Sequence, residues 1–305
     1  MKNNKKLKLG ALGIALALTL GACTDPPIEA PTPSSGSADF STYVALGDSY
    51  GAGYSDGAWY REVQEASYPN LIAKSMMQAG LTEFKQPLVP EGNGFGGSGT
   101  GKFVLVANND PAVPFLPVPT EADFGVLVPI GNQGPFQNMS VPGARATDLA
   151  LVGYGSSQGN PLYARFASSQ TATQLSEAAA QAPTFFSAWI GGNDVLGYAL
   201  AGGAGSYITP QGDFDTAIEN MVATLKQANP NVKGVIGNLP NILEAAYFTT
   251  VPWDNLEVDA ASAAALNAGL KATAEAGARP QIEAGVFVAV EAGTKAQVTD
   301  GIRTS

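Results

Sequence analysis

The sequence predicts an α/β domain built on a parallel sheet, and three observations carry that prediction. Short apolar runs rich in β-branched and aromatic residues recur at residues 42–46, 184–190 and 232–236. Each breaks off in glycine with polar residues behind it: Gly47-Asp48-Ser49, Gly191-Gly192-Asn193-Asp194 and Gly237-Asn238. Segments of helical spacing lie between the runs, and such alternation argues for a parallel sheet with crossover helices.

The first run delivers Ser49 from the end of a buried strand to a helix N-terminus, where ligands bind in open α/β sheets. A hydroxyl there feels the positive end of the helix dipole, which favours a developing oxyanion. Taken alone, the serine reads equally well as an N-cap that satisfies orphan N–H groups.

A helix is expected over 67–77, with Pro69 near its start and Gly80 past its end. Its methionines fit a core-filling role. Residues 86–134 are rich in Pro, Gly and Asn, and so long an irregular insertion is expected to be a lid or binding loop. Two motifs within it mislead. Residues 92–97 fit GxGxxG and residues 96–102 fit most of a phosphate-binding loop, but both need a helix to follow, and 102–106 reads as a strand. The second also has Phe103 where a Ser or Thr should hold magnesium.

In the segment 138–149, Pro142-Gly143 marks a turn and Ala144 onward can enter a helix. A glycine there lets backbone N–H groups approach a ligand, although an ordinary loop glycine looks the same. Helices are further expected over 171–181 and 213–228, an alanine-rich helix over 260–277, and a last strand over 286–290.

The amino terminus reads as a targeting segment. Lys2, Lys5, Lys6 and Lys8 precede an apolar stretch, 9–20, that is too short to span a bilayer. It ends in Leu20-Gly21-Ala22-Cys23, which resembles a bacterial lipoprotein signal cleaved before an acylated cysteine. Cys23 is the only cysteine, so no internal disulfide can form. Several acyl chains on Cys23 would anchor the protein firmly, since one alone binds marginally. The expected location is the bacterial cell envelope, at a periplasmic or outer-membrane face. Residues 24–38 are rich in Pro, Ser, Thr, Gly and Ala and read as a tether. The expected organisation is therefore a signal over 1–22, a tether over 23–38, and one domain over 39–305.

The net charge of −10, less the four lysine charges of the signal, leaves about −14. Such an acidic body is a poor match for nucleic acid or anionic lipid. No cofactor or metal motif survives scrutiny, and the chain contains no histidine.

Together the three blocks 47–49, 138–143 and 191–194 resemble, in order and residue type, the GDSL or SGNH hydrolases over residues 42–290. That resemblance implies a three-layer α/β/α sandwich around a central parallel sheet, of flavodoxin-like form. It implies that Ser49 attacks a carboxylic ester, while the N–H groups of Ser49 and Gly143 and the amide of Asn193 hold the oxyanion. It implies small-molecule or lipid esters as substrates. Asp48 and Asp194 are expected to hold turns through side-chain-to-backbone hydrogen bonds. Gly47-Asp48-Ser49-Tyr50-Gly51 also fits the GxSxG elbow, as does Gly155-Ser156-Ser157-Gln158-Gly159. In that fold, however, the elbow follows a strand deep in the sheet, and Ser157 lies in a polar loop-like run.

A serine nucleophile needs a base. In the resembled family a histidine in an Asp-x-x-His block supplies it, whereas this chain reads Asp300-Gly301-Ile302-Arg303. Arginine cannot accept a proton. Either arginine replaces the histidine or the true block lies beyond Ser305. The second is preferred, because little room separates 290 from 300 and nothing is left for the family's closing helix. The chain as given is not expected to turn over ester at an enzymatic rate. The alternative is a non-catalytic envelope lipoprotein that binds an acyl or glycan ligand in the same cleft.

Overall fold

The computed structural model describes residues 32–111, 114–201 and 208–241, with isolated short pieces beyond. The chain divides between Ser34 and Ser35, and the body runs from Ser35 onward.

Beside a small antiparallel pair, β2 (Tyr54–Ser55) and β3 (Ala58–Trp59), three parallel strands among the described residues make the central sheet: β1 (Tyr43–Gly47), β6 (Phe185–Trp189) and β7 (Lys233–Ile236), in the order β1-β6-β7. The register pairs Gly47 with Trp189 and Ala188 with Ile236, so all three strands end at one rim. Residues 137–141 extend the ladder on the other side of β1. The N–H of Met139 bonds the carbonyl of Ala45 at 2.8 Å, that of Val141 bonds the carbonyl of Gly47 at 3.0 Å, and Ala45 bridges Asn138 in the parallel sense.

The period-2 alternation of β1 sorts its side chains into two cores. Tyr43 and Ala45 pack with Ala73, Met76 and Leu81, on the side of the helix Tyr68–Met76. Val44 and Leu46 pack in the larger cluster with Leu175, Ala178, Met221 and Leu225, which come from the helices Gln174–Ala180 and Gln211–Ala228. Helices thus cover both faces of a parallel sheet, the three-layer α/β arrangement expected. Every residue of β1 is buried, which explains its unbroken apolar run.

The expected helices and strands of 67–77, 171–181, 184–190, 213–228 and 232–238 all form, with bounds shifted by a few residues. The helix over 171–181 starts later because Thr173 and Ser176 make a capping box. Beyond Ala144 there is a 3₁₀ turn, Ala146–Ala150, in place of an α-helix. Within the expected strand over 286–290, Val288–Ala289 pair antiparallel with Gln297–Val298 in a sheet of their own. The remainder of that strand, nearly all of the expected helix over 260–277 and residues 300–303 lie outside the described residues.

The insertion over 86–134 is more ordered than expected. It carries an antiparallel hairpin of β4 (Thr100–Ala107) and β5 (Phe115–Glu121), with the register Val104–Val118 and Val106–Leu116. Pro117 and Pro119 within β5 conceal the strand from propensity reasoning. Gly92–Gly97 leads into β4, so neither glycine-rich motif opens a helix. Two buried side chains bolt the insertion down. The guanidinium of Arg165 donates to the carbonyls of Val128 (2.7 Å) and Leu88 (2.8 Å). The amide of Gln64 accepts from Val89 N–H at 2.7 Å and donates to Pro87 C=O at 3.2 Å.

Candidate active site

The site forms where β1, β6 and the 137–141 segment end side by side. β1 closes on Gly47 for a steric reason: a Cβ there would stand 2.8 Å from the Trp189 carbonyl and 3.1 Å from Ser140 Oγ. The chain then turns into α1 (Ser49–Ala52), with Asp48 as its N-cap; the Asp48 carboxylate accepts from Tyr50 N–H at 3.0 Å. The cap is therefore Asp48, and Ser49 is the first helical residue, half-buried with its hydroxyl uncommitted to capping. Gly53 ends the helix at φ +77° and donates its N–H to the Ser49 carbonyl.

The second block packs directly beneath this helix. Ser140 fills the notch left by Gly47 and Gly51, where a Cβ on Gly51 would lie 2.2 Å from Ser140 Oγ. Asn138, buried, donates through Nδ2 to the Gly51 carbonyl at 2.9 Å. Gly143 follows at φ +84°, exposed, and a Cβ there would meet only Asn160 Nδ2, at 3.8 Å. The turn is pinned by Asn160, whose Nδ2 donates to the Pro142 carbonyl at 2.9 Å while its Oδ1 caps the short helix Pro161–Ala164.

The third block opens the helix Gly192–Leu200. Gly191 stands at φ +120°, and a Cβ there would meet the Phe214 ring at 2.8 Å. Asn193 reaches the second block, donating through Nδ2 to the Ala144 carbonyl at 2.8 Å. Asp194 reaches it as well, its Oδ2 accepting from Ala146 N–H at 2.9 Å. Gly192 lies against the first block, where a Cβ would be 3.3 Å from Asp48 Oδ2. Ser49, Gly143 and Asn193 are thus carried by three segments locked to one another at a single rim. Ser157 and the second GxSxG match lie in the turns between Leu151 and Asn160, away from any strand end.

Asp48 and Asp194 both hold backbone N–H groups, although Asp194 ties two blocks together instead of its own turn. Burial pushes Asp48 up to about 6, against the hydrogen bond from Tyr50, with the charge of Asp194 adding to the rise. A raised carboxylate holds its proton longer in the folded state, so its burial penalty is absent only well below 3.8, grows between 3.8 and about 6, and is complete above that. The gap between its ordinary 3.8 and about 6 corresponds to ~2–3 kcal/mol. Asp48→Asn keeps an acceptor for Tyr50 N–H and should unfold later than the parent at pH 7.5 by about that amount. The gain should shrink to a small fraction of this by pH 4, as read by denaturant titrations at both pH values.

Several parts of the site lie outside sequence reasoning. Trp189 stacks with Tyr50 (centroids 5.2 Å apart) and meets the edge of Tyr68 (5.6 Å), which builds an aromatic wall beside Ser49. Gln174, wholly buried, donates to the carbonyls of Gly47 (3.2 Å) and Met139 (2.8 Å) and so spaces two strand ends. Neither Gln174 nor Asn160 belongs to a motif. Cys23, Asp300 and Arg303 lie outside the described residues, and among the described residues no three His, Cys, Asp or Glu groups gather as metal ligands.

A parallel sheet with a serine on a helix N-terminus, a glycine turn and a carboxamide at one rim is the frame of an SGNH-type α/β hydrolase. The chain matches the family model for GDSL-like lipase/acylhydrolase over residues 43–290 and belongs to that family. No curated protein and no solved structure matches it.

Proposed function

We propose that this chain is a lipid-anchored serine ester hydrolase of the bacterial envelope, with Ser49 as nucleophile. In this reading Ser49 Oγ adds to the ester carbonyl carbon and its proton leaves to a base. The tetrahedral oxyanion rests on the N–H groups of Ser49 and Gly143 and on the Asn193 amide. The C–O bond to the alcohol then breaks, the alcohol departs with a proton, and the acyl group stays on Ser49. The observation that carries the reading is the bond from Asn193 Nδ2 to the Ala144 carbonyl, which sets the carboxamide beside the Gly143 turn. Membership of an acylhydrolase family supports ester chemistry, and the aromatic wall of Tyr50 and Trp189 offers an apolar side for the substrate. Carboxylic esters such as lipid or acetyl esters fit such a rim. The lipid anchor rests on Cys23 behind the short apolar stretch that precedes it.

None of the 305 residues is a histidine, so no imidazole in this chain can take the Ser49 proton. Turnover at neutral pH should accordingly stay near background. The same fact favours a second reading, a non-catalytic lipoprotein that holds an acyl or glycan group in the cleft. Acylation at pH 9, where hydroxide can serve as the base, separates the two. Incubation with p-nitrophenyl butyrate should place a butyryl mass on the Ser49 peptide and on no other serine, and Ser49→Ala should remove it. An unlabelled Ser49, with ligand binding intact, would establish the second reading.

A further inference from the structure

Among the described residues, the β4–β5 hairpin exposes more large apolar side chains than any other element of the body. On one face stand Phe103 (42% exposed), Leu105 (71%) and Phe115 (57%); on the other stand Val104, Val106, Leu116 and Val118, each at least 40% exposed. A two-stranded ribbon that is apolar on both faces is not a stable object in water. We propose that this hairpin is a membrane-contact element that settles into the surface of a zwitterionic phospholipid bilayer.

Four observations favour a bilayer over a protein partner. First, a protein seated on one face would leave the opposite apolar face wet, whereas lipid closes around both.

Second, the free edge of β5 is poorly suited to receive another strand. The bond from Asn108 N–H to the Pro114 carbonyl (2.8 Å) fixes the phase of the ladder, so residues 116 and 118 point their N–H groups inward. The outward positions are Phe115, Pro117 and Pro119, and two of these three have no N–H to give, so a second copy finds no continuous ladder along that edge.

Third, polar and charged ties gather at the root of the ribbon. Lys102 pairs with Glu62 at 3.5 Å and lies over the Tyr60 ring at 4.4 Å, and Phe103 N–H bonds the Asp56 carbonyl at 2.7 Å. Beyond Lys102, β4 carries no charge, and the polar tip at Asn108, Asn109 and Asp110 suits the headgroup layer. This sets the ribbon edge-on in the interface, root and tip among the headgroups and both faces against acyl chains, and not across the bilayer.

Fourth, the proposed anchor at Cys23 sets a bilayer within reach. The sixteen residues from there to the start of the domain span at most about 55 Å. The acidic body explains the choice of a zwitterionic surface. The inference leans on the envelope reading for its biological setting, but its test needs neither an acyl chain nor ester turnover.

The mature chain from residue 23 on, carrying Cys23→Ser, is to be floated with phosphatidylcholine vesicles. It should rise with them, and Leu105→Asp/Phe115→Asp should lower its partitioning at least about tenfold with an unchanged unfolding midpoint. Val152→Asp, an exposed apolar position outside the hairpin, should leave partitioning as it is. Should the double variant fold poorly, Leu105→Trp in the same chain should gain emission that brominated phosphatidylcholine quenches. Absence of flotation, equal flotation of the folded double variant, or an unquenched tryptophan would overturn the proposal. So would a dimer in gel filtration that the double variant dissociates while vesicles bind neither form.

Discussion

Asn193→Ala is expected to slow acylation of Ser49 by about 10²–10³-fold, equivalent to ~3–4 kcal/mol of transition-state stabilisation. The side-chain amide carries two N–H groups, and one of them donates to the Ala144 carbonyl at 2.8 Å. That bond holds the amide plane against the second block and leaves the other N–H for charge that develops on an ester oxygen. A neutral donor held in this way needs no reorganisation when the charge appears, which is why its loss falls on rate more than on substrate binding. Removing the side chain also takes a donor from the Ala144 carbonyl, which costs about 1 kcal/mol of stability. The two effects separate in the measurement. The acyl mass on Ser49 at pH 9, followed in time, reports the rate, and a denaturant midpoint reports the fold. Asn193→Asp should be at least as slow, because it supplies no donor and sets a third carboxylate near Asp48 and Asp194. A rate for the alanine variant within about threefold of the parent would remove Asn193 from the oxyanion site and leave it a purely structural tie.

How much of this was legible in the sequence follows from the range of the forces involved. β1 and β6 could be read because a strand buried on both faces needs an unbroken apolar run, and that is a local property. The helix Gln211–Ala228 could be read for a similar reason, since its buried Met221 and Leu225 stand four residues apart. The rim was legible only as three separate motifs. What joins them is contact across long stretches of chain: Asn193 to Ala144, Asp194 to Ala146, Gln174 to Gly47. Nothing near Gln174 in sequence distinguishes it from a surface glutamine. The hairpin was half legible. Residues 102–106 read as a strand, while the prolines that hide β5 are tolerated because their missing N–H groups point away from the ladder. The turn at Pro142-Gly143 was legible, but the 3₁₀ form of Ala146–Ala150 has no local mark, and the partner of the Ala146 N–H, Asp194, lies across the rim.

Gly53→Ala should destabilise the body by about 2–4 kcal/mol. Two penalties add at this position. The backbone stands at φ +77°, which an L side chain occupies at a cost of about 1 kcal/mol. The added Cβ would also lie 2.4 Å from the Val63 carbonyl oxygen and 2.6 Å from Gln64 Cα. These are backbone atoms of the helix Arg61–Glu65, and the bonds of the Gln64 side chain to Val89 and Pro87 hold that helix in place. Overpacking against atoms that cannot rotate away costs roughly 1–3 kcal/mol. Gly99→Ala isolates the first penalty, because Gly99 has nearly the same φ, +74°, with nothing within 4 Å of a Cβ. The fall in unfolding free energy for Gly53→Ala, less that for Gly99→Ala, therefore measures how rigidly the nucleophile helix is clamped from below. Equal falls would mean that the helix bearing Ser49 can shift to admit a methyl group. A Ser49 free to move by that much would lose the register with Gly143 and Asn193 on which a shared oxyanion site depends.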